Sequence, residues 1–182
     1  MDEFKKLRDM ALEYKKLHGS SFHGIEHYDD VAYNVDLIVN AEDMEFYRKD
    51  GYLFAYTHDL GRETEGFEPE HGVKSADIAR VILPEYFPEY VKDKDRYESL
   101  LFAIEHHSNI ALAVKNGLRP IIKNFAPSEN IDPMIFALGT DADQLALMRW
   151  DKIQHIGLKT KYLSLPFSKE YANSDEHKKG YR

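Results

Sequence analysis

The chain has 182 residues, of which 43% are hydrophobic, and this length supports one well-buried core better than two full domains. Cysteine is absent, so disulfide bonds and thiolate metal sites are excluded, and any transition-metal site must be built from histidine and carboxylate. The formal net charge of -8 argues against a protein that follows a nucleic-acid backbone, because such proteins neutralise phosphates with clustered lysine and arginine.

We expect a cytoplasmic protein without a membrane span. No apolar run approaches the length of a membrane-spanning helix, and the first ten residues, MDEFKKLRDM, are charged and amphipathic, unlike a signal peptide. A single domain over residues 1–182 is predicted, with an N-terminal helix within residues 1–20. Residues 167–182 are polar, and we expect them to form a surface extension or a frayed end.

The first two predicted helices are recognised by the spacing of their apolar residues. Residues 2–17 and residues 25–40 both place apolar side chains three and four positions apart, which is typical of a helix with one buried face. In the second segment His27 lies in line with Val31 and Val35, so a histidine is directed at the core. A buried imidazole needs partners for its ring nitrogens, and other parts of the chain must supply them.

The apolar segment GYLFAYTHDLG predicts a third helix that starts near Gly51, is buried on nearly all sides and ends near Gly61. His58 and Asp59 lie at its end. A carboxylate beside a histidine at a buried helix end costs free energy unless it is paired or bound to a cation. This dipeptide therefore indicates a site.

The next predicted helix lies between Pro69, in its first turn, and Pro84, where we expect it to stop. It is about four turns long by the rise per residue. His71 lies in its first turn.

Residues 93–107 form the following predicted helix, which contains two adjacent histidines. His107 shares a face with apolar side chains, whereas His106 points about a hundred degrees away from it. We therefore expect His107, and not His106, to face the interior.

The segment IDPMIFALGTDADQLALM predicts a last long helix, capped by Asp132 ahead of Pro133. Asp143 lies among apolar and small residues, where an aspartate is unexpected. Asp141 is two positions earlier and so faces elsewhere. Strand patterns are absent from the sequence, and we predict an all-α fold.

His27, the dipeptide His58-Asp59 and Asp143 occur in the order H…HD…D, and with them the chain resembles the HD-domain superfamily of metal-dependent phosphohydrolases. The surrounding segments are similar as well: HYDDV resembles the first motif of the family, THDLGR its HD-[IL]-G turn and DADQL its closing A-D-x-L. The resemblance spans residues 23–147, which would form the HD core. It implies a compact bundle of five or more helices around a metal site.

The resemblance also implies a second ion. EHGVKSADIA resembles the histidine-containing helix of binuclear HD proteins, and HHS resembles the later histidine that completes their second site. Asp59 would bridge two divalent ions, chosen from Fe, Mn, Co, Ni and Zn, because imidazole and carboxylate suit these metals. The implied ligands of the one or two ions are His27, His58, Asp59, His71, His107 and Asp143.

Three groups of further histidines remain. In some relatives a carboxylate one turn before the first ligand binds a third ion, so His23 is a candidate for an additional metal contact. His106 is a second candidate. For His23 we favour a helix cap or a solvent-exposed side chain instead, and we treat His106 similarly. His18, His155 and His177 lie outside the motifs and are expected at the surface.

The family resemblance implies hydrolysis of a phosphoester of a nucleotide or another small phosphorylated metabolite by a metal-activated hydroxide. Asp59 and Arg62 would be the catalytic residues, and Arg62 and Lys74 would bind the substrate phosphate, because guanidinium and ammonium groups offset its charge. The alternative for both cations is a solvated surface charge. No nucleic-acid or membrane partner is expected, and the oligomeric state stays open.

Two other functions are compatible with the same residues. Some HD proteins use the six-ligand set in a mixed-valence di-iron oxygenase. The chain could also be a non-catalytic module that binds a metal or a nucleotide.

Overall fold

A computed structural model describes residues 3–15, 23–66, 68–109, 130–148, 163–174 and 177. Within these residues it contains seven α-helices and no strand, which confirms the predicted all-α fold. The helices are α1 (Glu3–Tyr14), α2 (Ile25–Ala41), α3 (Arg48–Thr57), α4 (His71–Tyr86), α5 (Lys94–His106), α6 (Pro133–Met148) and α7 (Pro166–Asn173). In the same part of the chain, no helix is both long and apolar enough to cross a membrane.

Some helix ends follow local sequence signals, but Pro69 does not lie in the first turn of α4, which begins at His71. The Asp132 carboxylate accepts a hydrogen bond from the backbone N–H of Met134 at 2.9 Å, as expected for the residue that caps α6. Pro84, however, does not stop α4, which continues to Tyr86. A proline there only removes one hydrogen bond to the carbonyl four residues earlier, and that carbonyl, of Arg80, accepts the hydroxyl of Tyr97 at 3.4 Å instead.

The hydrophobic core lies between α2, α3, α5 and α6. Helix α2 packs against both α3 and α6, and α5 packs against α4 and α6. The side chains at these contacts are fully buried and mostly aliphatic: Val31, Val35 and Ile38 of α2, Leu53 and Phe54 of α3, Leu100 and Ile104 of α5, and Leu138 and Leu145 of α6. Helix α1 covers α3 with Leu7, Met10 and Ala11.

The prediction of a surface extension over residues 167–182 is wrong for the part that the structure describes. Helix α7 packs against α6 and α2, and its Tyr171 and Ala172 are buried. The buried carboxylate of Asp141 accepts backbone N–H groups of Ser164 and Leu165, both at 2.7 Å, and so ties the segment before α7 to α6. The segment is polar in composition, but the apolar residues of α7 lie on one side of the helix, which packs against the protein.

The expectation that His177 lies at the surface is also wrong. His177 is buried, and its Nε2 donates to the backbone carbonyl of Leu145 at 3.2 Å. It therefore contacts α6 on the core side. The other two histidines expected at the surface, His18 and His155, lie outside the described residues.

Candidate metal centre

The structure brings the six implied ligands together, although they come from distant parts of the sequence. His27 lies in the first turn of α2, and His58 and Asp59 lie in the turn that ends α3. His71 is the first residue of α4, His107 follows α5 directly, and Asp143 lies in the middle of α6. All six side chains are buried, the most exposed being Asp143 at 5%.

Three of the predicted ligand atoms, from His27, His58 and Asp143, have the spacing expected around one ion. His27 Nε2 lies 3.0 Å from Asp143 Oδ1 and 3.2 Å from His58 Nε2, and His58 Nε2 lies 3.6 Å from Asp143 Oδ1. Two ligand atoms at about 2.0–2.1 Å from a tetrahedral ion are about 3.4 Å apart. We call this group, with Asp59 Oδ2 at 3.6 Å from His58 Nε2, the first cation position.

The other oxygen of Asp59 faces a second group of ring nitrogens. Asp59 Oδ1 lies 3.2 Å from His71 Nε2 and 3.4 Å from His107 Nε2, and the two Nε2 atoms are 3.0 Å apart. This oxygen receives no well-directed hydrogen bond from any described residue. We call these three atoms the second cation position.

The orientation of three histidines is fixed by the same local contact. In His58, His71 and His107 the Nδ1 atom faces the backbone carbonyl of the residue three positions earlier. These distances are 3.1 Å to Ala55, 2.5 Å to Glu68 and 2.6 Å to Ile104. A carbonyl only accepts, so Nδ1 holds the proton and the Nε2 lone pair of each ring faces the centre, as in protein metal sites.

His27 differs from these three. Its Nε2 faces the Asp143 carboxylate, and its Nδ1 is buried without a hydrogen-bond partner among the described residues. A buried ring nitrogen without a partner costs free energy. The position is therefore unfavourable for a purely structural histidine.

The two carboxylates stay ionised at neutral pH. Burial by itself would raise the pKa of Asp59, but His58, His107 and His23 outweigh it and hold this pKa well below its usual range. In Asp143 too, burial is outweighed, here by His27 and His58, and the pKa is lowered. Ionised carboxylates are the form that binds a metal ion.

The buried imidazoles differ in the direction in which the protein shifts their pKa. Burial lowers the pKa of His27 and of His107, so that both rings are neutral at pH 7 and able to bind a metal. His58 is the exception: burial would lower its pKa, but the charges of Asp59 and Asp143 outweigh burial and raise it. A proton therefore competes with an ion mainly at His58.

His23 does not cap α2 or point to solvent, so the alternative that we favoured for it is wrong. Its Nδ1 lies 2.9 Å from Asp59 Oδ2, and its side chain is only 14% exposed. Ligand atoms of His23, His27 and Asp59 lie within 4.8 Å of one another. The sequence signal was the spacing of one helical turn between His23 and His27.

Of the two adjacent histidines, the structure places only His107 in the centre. His106 is half-buried, with its ring against Phe102 and its Nε2 at 3.7 Å from Glu105. It belongs to none of the groups of converging ligand atoms among the described residues. The helical geometry of residues 93–107 thus separated the two rings correctly.

Arg62 is not a surface charge. The residue is 8% exposed, its Nε lies 3.3 Å from Asp59 Oδ1, and its Nη2 lies 2.8 Å from His71 Nε2. Lys74, in contrast, is partly exposed and pairs with Glu68 at 2.8 Å. Among Arg62 and Lys74, only Arg62 therefore contacts the predicted ligands in the described part of the chain.

Sequence reasoning missed Glu68, which organises the loop before α4. Its carboxylate accepts the backbone N–H groups of Glu63 and Thr64 at 3.0 and 3.2 Å, and its own carbonyl orients His71. The pairing with Lys74 and these N–H groups lower the pKa of Glu68 to about 2. An acidic residue three positions before a helix-starting histidine was the available signal.

A scan against protein-family models and searches of curated proteins and of solved structures gave no match. Fold and site together define an all-α protein with a buried cluster of histidine and aspartate side chains whose ligand atoms are spaced to hold a metal ion.

Proposed function

We propose that this protein is a metal-dependent phosphohydrolase that cleaves a phosphoester of a nucleotide or of another small phosphorylated metabolite. One observation above all supports the proposal: four imidazole Nε2 atoms and two carboxylates form one buried cluster in which neighbouring ligand atoms are 3.0–3.6 Å apart, with a buried guanidinium beside it. The resemblance of the H…HD…D residues to HD-domain phosphohydrolases agrees with this chemistry.

The donor set suits a divalent transition metal. Imidazole nitrogens and carboxylate oxygens favour Fe, Mn, Co, Ni or Zn, and a chain without cysteine offers no thiolate. Such an ion, when bound, lowers the pKa of a coordinated water enough to yield a nucleophile near neutral pH. The site would be held by His27, His58, Asp59 and Asp143, with His71 and His107 on the opposite side of Asp59.

The remaining groups bind and orient the substrate. The Arg62 guanidinium presents several N–H donors in a plane and can contact two phosphate oxygens at once. In an otherwise acidic chain it would offset the negative charge that develops on the phosphoryl oxygens. Lys74, on α4, pairs with Glu68 of the preceding loop and would attract an anionic substrate less specifically.

The proposal is tested with protein purified with its native metal. Elemental analysis is run beside a phosphatase screen with nucleotides, cyclic nucleotides and sugar phosphates. The parent protein is expected to contain metal and to release phosphate. The double variant His58→Ala, Asp59→Ala is expected to lose its metal and to lose at least about a hundredfold of the activity. His27→Ala and His106→Ala form a matched pair, of which only the first should lose metal. A double variant that keeps its metal and activity would contradict the proposal.

A second candidate function is an iron-dependent oxygenase. At the first cation position, beside Asp59, the residues His27, His58 and Asp143 supply two imidazoles and one carboxylate, a combination that also occurs in non-haem Fe(II) oxygenases. Iron-loaded protein that consumes dioxygen and forms an oxidised carbon product would favour this candidate. Phosphate release without oxygen consumption would favour the hydrolase, and a metal-loaded protein inactive in both assays would be a binding module.

A further inference from the structure

The two cation positions around Asp59 differ in what contacts them. At the first position His27, His58 and Asp143 face one another, and no cationic side chain from the described residues lies between them. At the second position the Arg62 guanidinium contacts two of the three ligand atoms, His71 Nε2 at 2.8 Å and Asp59 Oδ1 at 3.3 Å.

The Arg62 guanidinium lies over the ring of His71, because the same Nη2 atom is 2.8 Å from Nε2 and 3.2 Å from Nδ1. His71 donates its Nδ1–H to the carbonyl of Glu68, so Nε2 is the ring atom with a free lone pair. An ion bound to that lone pair at about 2.0–2.1 Å would lie beside a buried guanidinium, and two cations this close in a low-dielectric interior repel each other. Arg62 therefore disfavours a second ion at His71.

The position of Arg62 is also built into the fold. The residue is 8% exposed, and Nη1 donates to the carbonyl of Gly66 at 3.3 Å, within the loop that Glu68 holds together. Charge favours the same arrangement, because a guanidinium next to a dication offsets the two ionised carboxylates, Asp59 and Asp143. Adding a second dication beside the guanidinium would leave a large excess of buried positive charge.

We infer that the centre binds one metal ion tightly at the first cation position and that the Arg62 side chain is the cation of the second position. A second ion enters only when the guanidinium leaves His71. The inference rests on the proposed metal binding, and it departs from the two-ion centre that the sequence resemblance implies.

The experiment counts ions in the whole protein. Parent protein, Arg62→Met, Arg62→Gln and the control Arg80→Met are stripped of metal, titrated with Mn²⁺ or Zn²⁺, and analysed for metal content. Arg80 is a partly exposed arginine on α4 and controls for the loss of one positive charge. Spin coupling between two Mn²⁺ ions provides a second readout that does not depend on activity.

Parent protein and Arg80→Met are expected to bind one ion tightly, with any second ion at least about a hundredfold weaker. Either variant of Arg62 that folds should bind two ions, with coupled Mn²⁺ spins, and adding His71→Ala to it should restore a single ion. Two equally tight ions in the parent, or one ion in the folded Arg62 variants, would overturn the inference but leave the proposed metal enzyme intact. Parent protein that binds no ion would refute the proposed function as well.

Discussion

Three histidines of the centre donate Nδ1–H to a carbonyl three residues earlier, and this local contact decides which nitrogen faces Asp59. The carbonyls belong to the helix ends and the loop that carry the histidines, so the orientation of each ring is set by its own local segment. At the scale of single residues, the fold thus directs Nε2 atoms and carboxylate oxygens to one point.

The affinity for metal should rise with pH because of His58. Its pKa is raised above 6.5 by Asp59 and Asp143, which outweigh the effect of burial, so a proton must leave before Nε2 can bind an ion. Zn²⁺ titrations between about pH 6 and 8 should show up to about tenfold tighter binding per pH unit below that pKa and a plateau above it. His106→Ala should give the same profile. A flat profile would show that His58 is not a ligand.

The metal-free protein should lose stability in acid through its buried carboxylates. The folded-state pKa of Asp143 lies below the ordinary value of 3.8, so its ionised form stabilises the fold above that pH and this contribution is lost as the pH falls. Urea unfolding between about pH 6 and 3 should show a shallower loss for Asp143→Asn than for the parent. Asp77→Asn, at an exposed carboxylate, should behave like the parent.

At the scale of helices, close backbone contact sets the distance between ligands. Helices α4 and α5 pack tightly where His71 and His107 lie, because Gly72 has no side chain at the point of contact. A Cβ added at Gly72 would clash with the carbonyl of Glu105 and come within 3.0 Å of the Ile104 carbonyl. The 3.0 Å separation of the two Nε2 atoms depends on this contact.

Gly72→Ala should therefore push α4 away from α5. We expect a loss of about 1–3 kcal/mol in the free energy of unfolding, because an extra methyl group in a packed contact forces the backbone to shift. Chemical denaturation measures the loss. Gly66→Ala is the matched control in the preceding loop, since the nearest atom to its added Cβ is 3.9 Å away. Equal stability of both variants and the parent would contradict the close packing.

For the whole molecule, a bound ion would cross-link elements that are far apart in the sequence. The candidate ligands come from α2, the end of α3, α4, the end of α5 and α6, so an ion would bind the folded chain far better than the unfolded one.

Removal of metal should thus lower the thermal stability of the protein. At a free metal concentration about one hundred times Kd, binding adds about 2.7 kcal/mol, which raises Tm by roughly 5–10 °C for a chain of this size. Calorimetry with and without a chelator measures the change. The double variant His58→Ala, Asp59→Ala should show no metal-dependent change in Tm, and a parent protein that shows none either would contradict metal binding at the centre.

The sequence by itself determined the helical class, the inward direction of His27 and His107, and the chemical types of the donors. These features follow from the spacing of residues within one helix and from composition, both of which are local. The same local geometry separated His107 from His106. The assignment to the HD-domain superfamily rests on motif resemblance alone and stays a prediction.

Only the tertiary structure decided how side chains from different elements meet. It placed His23 against Asp59, placed the Arg62 guanidinium against His71, and buried His177 against α6. None of these contacts follows from spacing along one helix, because each depends on how two or more elements pack. From one backbone position, a long side chain such as that of Arg62 can extend either to water or to a buried carboxylate. The packing of the surrounding helices determines which of the two it contacts.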